Sequence, residues 1–307
     1  MVELAGTRRL RPRRPRLDTA AVATGIAAAA IVTWLVTLQQ MDGMDAGPGT
    51  DLGGIAWFTG AWVTMMAAMM LPSALPMVLV YSKVSRDRER HGGAYAPTWV
   101  FAGGYMLVWA AFGLVAYGIQ QGVVALDPAF LRWDRQGPIA AGVVIALAGV
   151  YEATPLKDAC LRYCRTPMAF VMGGFRKGVP GALRMGVEHG LWCVACCWGI
   201  MVALFALGVM SVQWMAVMAA VVFVEKLLPR GRMVTRVIAL LLIALGIWVA
   251  VAPGSVPGLV EPGTRPAMDM GGMEMSGGGA PAPAATTTAP ADDMAGMDMA
   301  GMDRSGG

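Results

Sequence analysis

The amino-acid sequence predicts an all-α fold: a polytopic transmembrane helical bundle of about seven spans, followed by a disordered C-terminal tail. The chain has 307 residues, of which 56% are hydrophobic and 14% are charged, and its mean hydropathy is +0.57. These values lie outside the range of soluble domains. The apolar residues also occur in runs long enough to cross a bilayer, and the composition changes abruptly after residue 252.

Composition divides the chain into three predicted domains. Residues 1–18 form a basic N-terminal tail, residues 19–252 form the helical bundle, and residues 253–307 form a Met-rich tail with too few large apolar residues to bury a core. Pro72 and Pro76 are expected to kink the second span. The predicted spans are Thr19–Leu38, Ile55–Tyr81, Pro97–Gln120, Gly137–Tyr151, Glu188–Met210, Val212–Val224 and Val237–Ala252.

Lysine and arginine are distributed unevenly over the loops. When alternate loops are placed on opposite sides of a membrane, 20 of the 24 basic residues fall on one side, and the positive-inside rule makes that side the cytosol. The sequence therefore predicts a protein of the bacterial plasma (inner) membrane with a cytosolic N-terminus and an extracytoplasmic C-terminal tail. The lipid bilayer is a predicted partner. Nucleic acid is not a predicted partner, because the distribution of the basic residues follows the loops of a membrane protein.

Soft metal ligands are concentrated in the first half of the fifth span. Cys193, Cys196 and Cys197 follow His189 at offsets of four, seven and eight, which puts the three thiols on one helical stripe near the imidazole. This cluster recurs nowhere else in the apolar segments, so we interpret it as a membrane-embedded site for metal or thiol chemistry. The alternative is that small thiols fill a helix interface.

Methionine forms two patches in the C-terminal tail, each with M-x-M and M-x-x-M spacings and interleaved acids. A segment without a core has no packing use for methionine, whereas thioethers are soft, uncharged ligands that suit Cu(I) or Ag(I) on the oxidising side of a membrane. The tail is therefore predicted to capture a soft metal, and oxidant scavenging is the alternative. The patches comprise Met268, Met270, Met273, Met275, Met294, Met297, Met299 and Met302.

Two smaller groups of sulfur residues lie within the bundle. Met66, Met69 and Met70 share one face of the second span, where they form either an intermediate metal station or ordinary packing. Cys160 and Cys164 lie one helical turn apart in the basic connection after the fourth span. Their spacing is poor for an internal disulfide and leaves both thiols available as ligands; the alternative is a basic segment that lies on anionic lipid.

Four motifs together resemble a known family. They are WVTMMAAMMLPS (62–73), YEATPLKDACLRYCRTP (151–167), HGLWCVACCWGIM (189–201) and EKLLPRG (225–231). Over about residues 20–250 the chain is similar to a bacterial family of predicted metal-binding integral membrane proteins, long classed as a domain of unknown function. The resemblance implies a polytopic inner-membrane protein with a link to copper handling. The ligands that it implies are Met66, Met69, Met70, Cys160, Cys164, His189, Cys193, Cys196 and Cys197.

The leading hypothesis is a Cu(I)-binding membrane protein that captures metal at its outer Met-rich segments. It would pass the metal to the Cys/His group of the bundle, in transport or in delivery to a copper enzyme or chaperone partner. No P-loop is present, so ATP-driven pumping is not predicted, and a transporter or metal-binding protein is favoured over an enzyme. Two alternatives stay open: a membrane thiol oxidoreductase, and a non-catalytic metal-dependent assembly factor or sensor.

Overall fold

The computed structural model describes residues 19–42, 47, 52–92, 96–126, 133–228 and 231–259, and these form helices without strands. This confirms the all-α fold class. The helices are α1 (Thr19–Met41), α2 (Ile55–Arg90), α3 (Thr98–Leu126), α4 (Gly137–Glu152), α5 (Pro155–Arg165), α6 (Pro167–Gly174), α7 (Gly178–Leu207), α8 (Val212–Leu227) and α9 (Gly231–Val251).

Each of the seven predicted spans contains a helix, but not every one of these helices can cross a bilayer alone. Five helices in the described part of the chain are long and apolar enough: α1, α2, α3, α7 and α9. The pair α4 and α5, bent by 66°, raises the number to at most six. Helix α8 has 16 residues and is therefore about 24 Å long, which is shorter than the roughly 30 Å hydrocarbon core. By length and composition alone, five or six helices of the described residues could each cross a bilayer, against the seven spans predicted.

Helix α2 carries the buried methionines and runs as one helix through Pro72 and Pro76. Its 36 residues extend well past the predicted end at Tyr81. The side chains of Met65, Met66, Met69 and Met70 are at most 2% exposed, so the predicted methionine face lies in the core.

Helix α7 lies at the centre of the bundle, where it contacts α3, α4, α5 and α8. Its crossing with α3 is close because glycines lie at the contact. A Cβ added to Gly104 of α3 would lie 2.5 Å from the Leu183 carbonyl oxygen, and one added to Gly186 would collide with the carbonyl oxygen of Phe101. The crossing places Tyr105, which follows Gly104, against the middle of α7.

A second glycine crossing joins α4 to α9. A Cβ added to Gly142 would collide with the Gly246 carbonyl oxygen, and one added to Gly246 would lie 2.5 Å from the carbonyl oxygen of Gly142. The outer faces of these helices expose large apolar side chains such as Leu147 and Leu240. Such faces are suited to lipid.

Helix α5 begins and ends at clear local signals. The Thr154 side chain accepts a hydrogen bond from the Lys157 backbone N–H, Pro155 occupies the first turn, and Pro167 follows the end of the helix. These are common start and stop residues. The bend between α4 and α5 turns α5 back against α7 and α8, which it contacts.

The first residues of the predicted tail pack on the bundle. Pro253–Ser255 forms a short 3-10 turn in which the Ser255 hydroxyl accepts a hydrogen bond from the Trp248 indole N–H at 2.8 Å. Val256 is 4% exposed and belongs to the apolar core. The folded part of the chain therefore extends past residue 252, because these residues bury apolar surface that the composition of the tail as a whole does not suggest.

Candidate metal centre

Three thiols of α7 lie together in the core. The sulfur atoms of Cys193, Cys196 and Cys197 are within 4.8 Å of one another, and each residue is at most 1% exposed. Cys196 Sγ lies 3.4 Å from Cys197 Sγ and 3.2 Å from the Cys193 carbonyl oxygen. A cluster of three buried sulfurs has the donor chemistry of a soft metal site.

Helix α5 brings a fourth thiol to the cluster. Cys164 Sγ is 3.7 Å from Cys196 Sγ, and Cys164 is half-buried whereas the three α7 cysteines are buried. Cys160, one turn earlier, is also buried but has no sulfur contact of this kind among the described residues. The structure thus brings one of the two predicted α5 cysteines to the cluster and leaves the other in the surrounding apolar core.

Cys193 has two hydrogen-bonding neighbours that suit an anionic sulfur. Lys226 Nζ of α8 donates to Cys193 Sγ at 3.0 Å and to the Ser73 hydroxyl of α2 at 3.1 Å. The Tyr105 hydroxyl of α3 lies 3.1 Å from the same sulfur. No carboxylate contacts Lys226 in the described part of the chain. Because a buried ammonium favours a nearby anion, the position of Lys226 suits a thiolate at Cys193.

A second buried charge cluster supports α5. Lys157 Nζ of α5 lies between two carboxylates, at 2.8 Å from Glu225 Oε2 of α8 and in contact with Glu152 Oε2 of α4, and all three side chains are at most 1% exposed. Arg165 Nε donates to the Glu225 backbone carbonyl at 2.7 Å. Lys157 is therefore the cation that Glu152 and Glu225 share, and neither carboxylate contacts Lys226 in the described part of the chain.

The sequence prediction missed the structural role of the two lysines in this arrangement. It counted Lys157 and Lys226 with the basic residues of the loops, but the structure buries both. Their partners explain why: each ammonium is paired inside the bundle rather than with water. Glu225 and Lys226 at the end of an apolar run were an available signal, because ionisable residues within a membrane segment usually pair with a partner.

His189 does not belong to the group of three thiols. It is 2% exposed, and its ring stacks on Phe101 and Tyr105 with centroid separations of 6.0 and 5.4 Å. The group of ligand atoms within 4.8 Å of one another contains the three thiols and not His189. The imidazole shares the predicted helical stripe, but aromatic packing holds its ring.

The predicted methionine station shares the apolar core with the cysteines. Ser73, which contacts Lys226, donates to the Met70 carbonyl oxygen at 2.8 Å and lies one turn from Met69 on the same helix. A chain of hydrogen bonds thus runs from the Met70 backbone carbonyl through Ser73 and Lys226 to Cys193. The eight tail methionines, Met268, Met270, Met273, Met275, Met294, Met297, Met299 and Met302, lie outside the described residues.

The comparisons with known proteins give one family. A family model described as "PpoB2: Copper chaperone" matches residues 59–249, a range that contains every cysteine of the chain and the two buried lysines. No curated protein and no solved structure matches the chain.

Proposed function

The chain belongs to the PpoB2 family of copper chaperones, and on that premise we propose that it binds Cu(I) in the membrane and delivers it to an acceptor. Cys193, Cys196 and Cys197 hold the metal, with Cys164 beside them. The observation that carries the proposal is the buried group of three sulfur atoms within 4.8 Å, next to a fourth on another helix.

Thiolates are the protein ligands that most favour Cu(I). Two thiolates and one Cu(I) carry a net charge of −1, which is costly to bury alone. The Lys226 ammonium, 3.0 Å from Cys193 Sγ, neutralises that charge. The site therefore suits a small, soft, monovalent cation, and the same lysine holds Cys193 ready as a thiolate before the metal arrives.

Supply of the metal is the second part of the proposal. The Met-rich tail captures Cu(I) outside the cytosol, and Met66, Met69 and Met70 form a station between the tail and the cysteines. The uneven loop charges support an inner-membrane location with this orientation. The core position of the α2 methionines, next to the Ser73–Lys226 contact, supports the route.

The first test replaces the central ligands. Cys193→Ser with Cys196→Ser in the full chain is expected to remove roughly one Cu(I) per chain, because a hydroxyl is a much poorer soft ligand of similar size. Bound copper is measured in the purified protein under reducing conditions. Cys160→Ser is the matched control, since Cys160 has no sulfur contact with the cluster. If the double variant retains the wild-type copper content, the cluster is only packing.

The second test concerns the tail. Replacing all eight tail methionines with leucine keeps the apolar character but removes the sulfur atoms. Growth that depends on scarce copper is expected to weaken, whereas growth at abundant copper is unchanged, since several weak ligands on one chain raise the local ligand concentration. Copper content of whole cells at both copper levels checks this. Equal growth at scarce copper would show that the tail is not a collector.

A further inference from the structure

A cationic cavity lies among the ends of α1, α2 and α6, and none of the residues that line it belongs to the copper site. Its volume is about 740 Å³, which is within the range of cavities that bind small ligands. The wall includes Thr19, where α1 begins, together with the last turns of α2 and part of α6. The charged residues of the lining are Lys83, Arg86, Asp87, Arg88, Arg90 and Lys177.

The charges of this lining are not balanced. Five of the six charged residues are cations, and the one carboxylate, that of Asp87, lies 3.9 Å from the ring of His91. No ion pair joins any of the five cations to a carboxylate within the described residues. A concave surface that carries one sign of charge concentrates its potential. The cavity therefore favours an anion.

Contacts within the protein hold two of the arginines in place. The Arg88 guanidinium lies 4.3 Å from the centre of the Phe175 ring. Arg86 donates from Nε to the Ser82 carbonyl oxygen at 3.1 Å, and from a terminal nitrogen to the Thr19 hydroxyl at 3.2 Å. A guanidinium that stacks on a ring keeps the N–H groups of its edge available, and this edge matches two oxygens of a phosphate. Phosphate is therefore an anion that suits this geometry.

The rest of the lining is apolar. Met168 and Met172 lie one turn apart on α6, and their side chains are 54% and 56% exposed. Val84 and Phe175 line the cavity beside them. Open apolar side chains next to cations match a molecule that has both an anionic group and a hydrocarbon part. Free phosphate has only the first of these.

The depth of the cavity also matches such a molecule. Helices α1 and α2 are both long and apolar enough to cross a bilayer. The cavity lies where the apolar part of α2 gives way to its charged end, and where α1 begins. Phospholipid headgroups occupy this boundary between hydrocarbon and water, and basic pockets between membrane helices bind anionic headgroups.

We propose that this cavity binds the phosphate group of an anionic phospholipid, from the leaflet predicted to be cytosolic. Met168, Met172 and His91 are also residue types that bind copper, but five cations and one carboxylate repel a metal cation. The bound phosphate reduces the mutual repulsion of the five cations and so stabilises this end of the bundle. The proposal does not depend on the copper function.

The experiment titrates the full-length protein in an uncharged detergent with one of three probes and measures its melting temperature. Phosphatidylglycerol is expected to raise the melting temperature saturably, because a ligand that binds only the folded protein stabilises it. Phosphatidylcholine, which has no net charge, is expected to have little effect. Glycerol 1-phosphate carries the phosphate without the acyl chains and is also expected to have little effect. If phosphatidylcholine stabilises equally well, the cavity does not select an anion, and if glycerol 1-phosphate does, the ligand is a soluble phosphate and not a lipid.

A charge-matched pair of variants locates the binding. Lys83→Gln with Arg90→Gln is expected to weaken phosphatidylglycerol binding about tenfold, because each basic residue near an anionic lipid adds to the attraction. Neither side chain has a hydrogen bond or an ion pair within the described residues, so the fold is expected to persist.

Arg162→Gln with Arg236→Gln is the control, because it removes the same charge from exposed residues of α5 and α9 that do not line the cavity. It is expected to keep the wild-type affinity for phosphatidylglycerol. Equal weakening in the two double variants would overturn the proposal in favour of general surface attraction. Both variants are expected to keep the wild-type copper content, so failure of the lipid proposal and failure of the copper proposal are separate results.

Discussion

Replacing Gly104 with valine is expected to abolish Cu(I) binding and to destabilise the bundle by about 3 kcal/mol, the upper part of the range for overpacked cores. A Cβ at this position would lie 2.5 Å from the Leu183 carbonyl oxygen and 3.1 Å from the Val187 backbone nitrogen. Backbone atoms cannot rotate away as a side chain does, so α3 and α7 have to separate. Separation moves the Tyr105 hydroxyl away from Cys193, which it approaches to 3.1 Å.

The neighbouring glycine supplies the control. Gly103 has no atom within 4 Å of an added Cβ, so Gly103→Val changes composition and helix propensity in the same way without a collision. It is expected to retain Cu(I) binding and a near wild-type melting temperature in detergent. If the two valine variants behave alike, the close α3–α7 crossing does not maintain the site.

Replacing Lys157 with methionine is expected to cost about 3–5 kcal/mol of stability, the usual result of removing one partner from a buried ion pair. The change leaves Glu152 and Glu225 buried without their shared cation, and each already has one carboxylate oxygen, Oε1, without a hydrogen-bond partner. Thermal unfolding of the purified protein measures the loss. Arg162→Met is the control, because Arg162 is exposed on the same helix.

Replacing the two unpaired carboxylates as well should recover most of the lost stability. The triple variant Glu152→Gln, Lys157→Met, Glu225→Gln removes both carboxylates together with the cation that they share, and uncharged replacements of a buried ionic group are often close to neutral. Recovery of the melting temperature relative to Lys157→Met would confirm that the penalty is electrostatic. A triple variant no more stable than the single one would show that Lys157 acts through packing alone.

The fold class and the central thiols were predictable because both depend on local patterns. Long apolar runs predict helices. Offsets of seven and eight residues from His189 place Cys196 and Cys197 on one side of α7. The same reasoning predicted that His189 shares this side of the helix. Periodicity gives the direction of a side chain and not its partners, and here the rings of Phe101 and Tyr105 are the partners.

The charged part of the site depends on pairs that are distant in sequence. Lys226 is 153 residues from Ser73 and 33 from Cys193, and Lys157 is 68 residues from Glu225. No local pattern specifies such pairs in a single sequence. Without them, a lysine at the end of an apolar run is naturally assigned to a loop by the positive-inside rule.

The shortness and charge of α8 have a consequence for biogenesis. The last turn of its 16 residues contains Glu225 and Lys226, two charges that are costly to insert into lipid without partners. The contacts of these charges described above, with Ser73, Lys157 and Cys193, all involve residues that the ribosome makes earlier. Helix α8 therefore inserts against helices that are already in the membrane. Until it does, Cys193 lacks the ammonium of Lys226, so the contact between them forms only after α8 has been made.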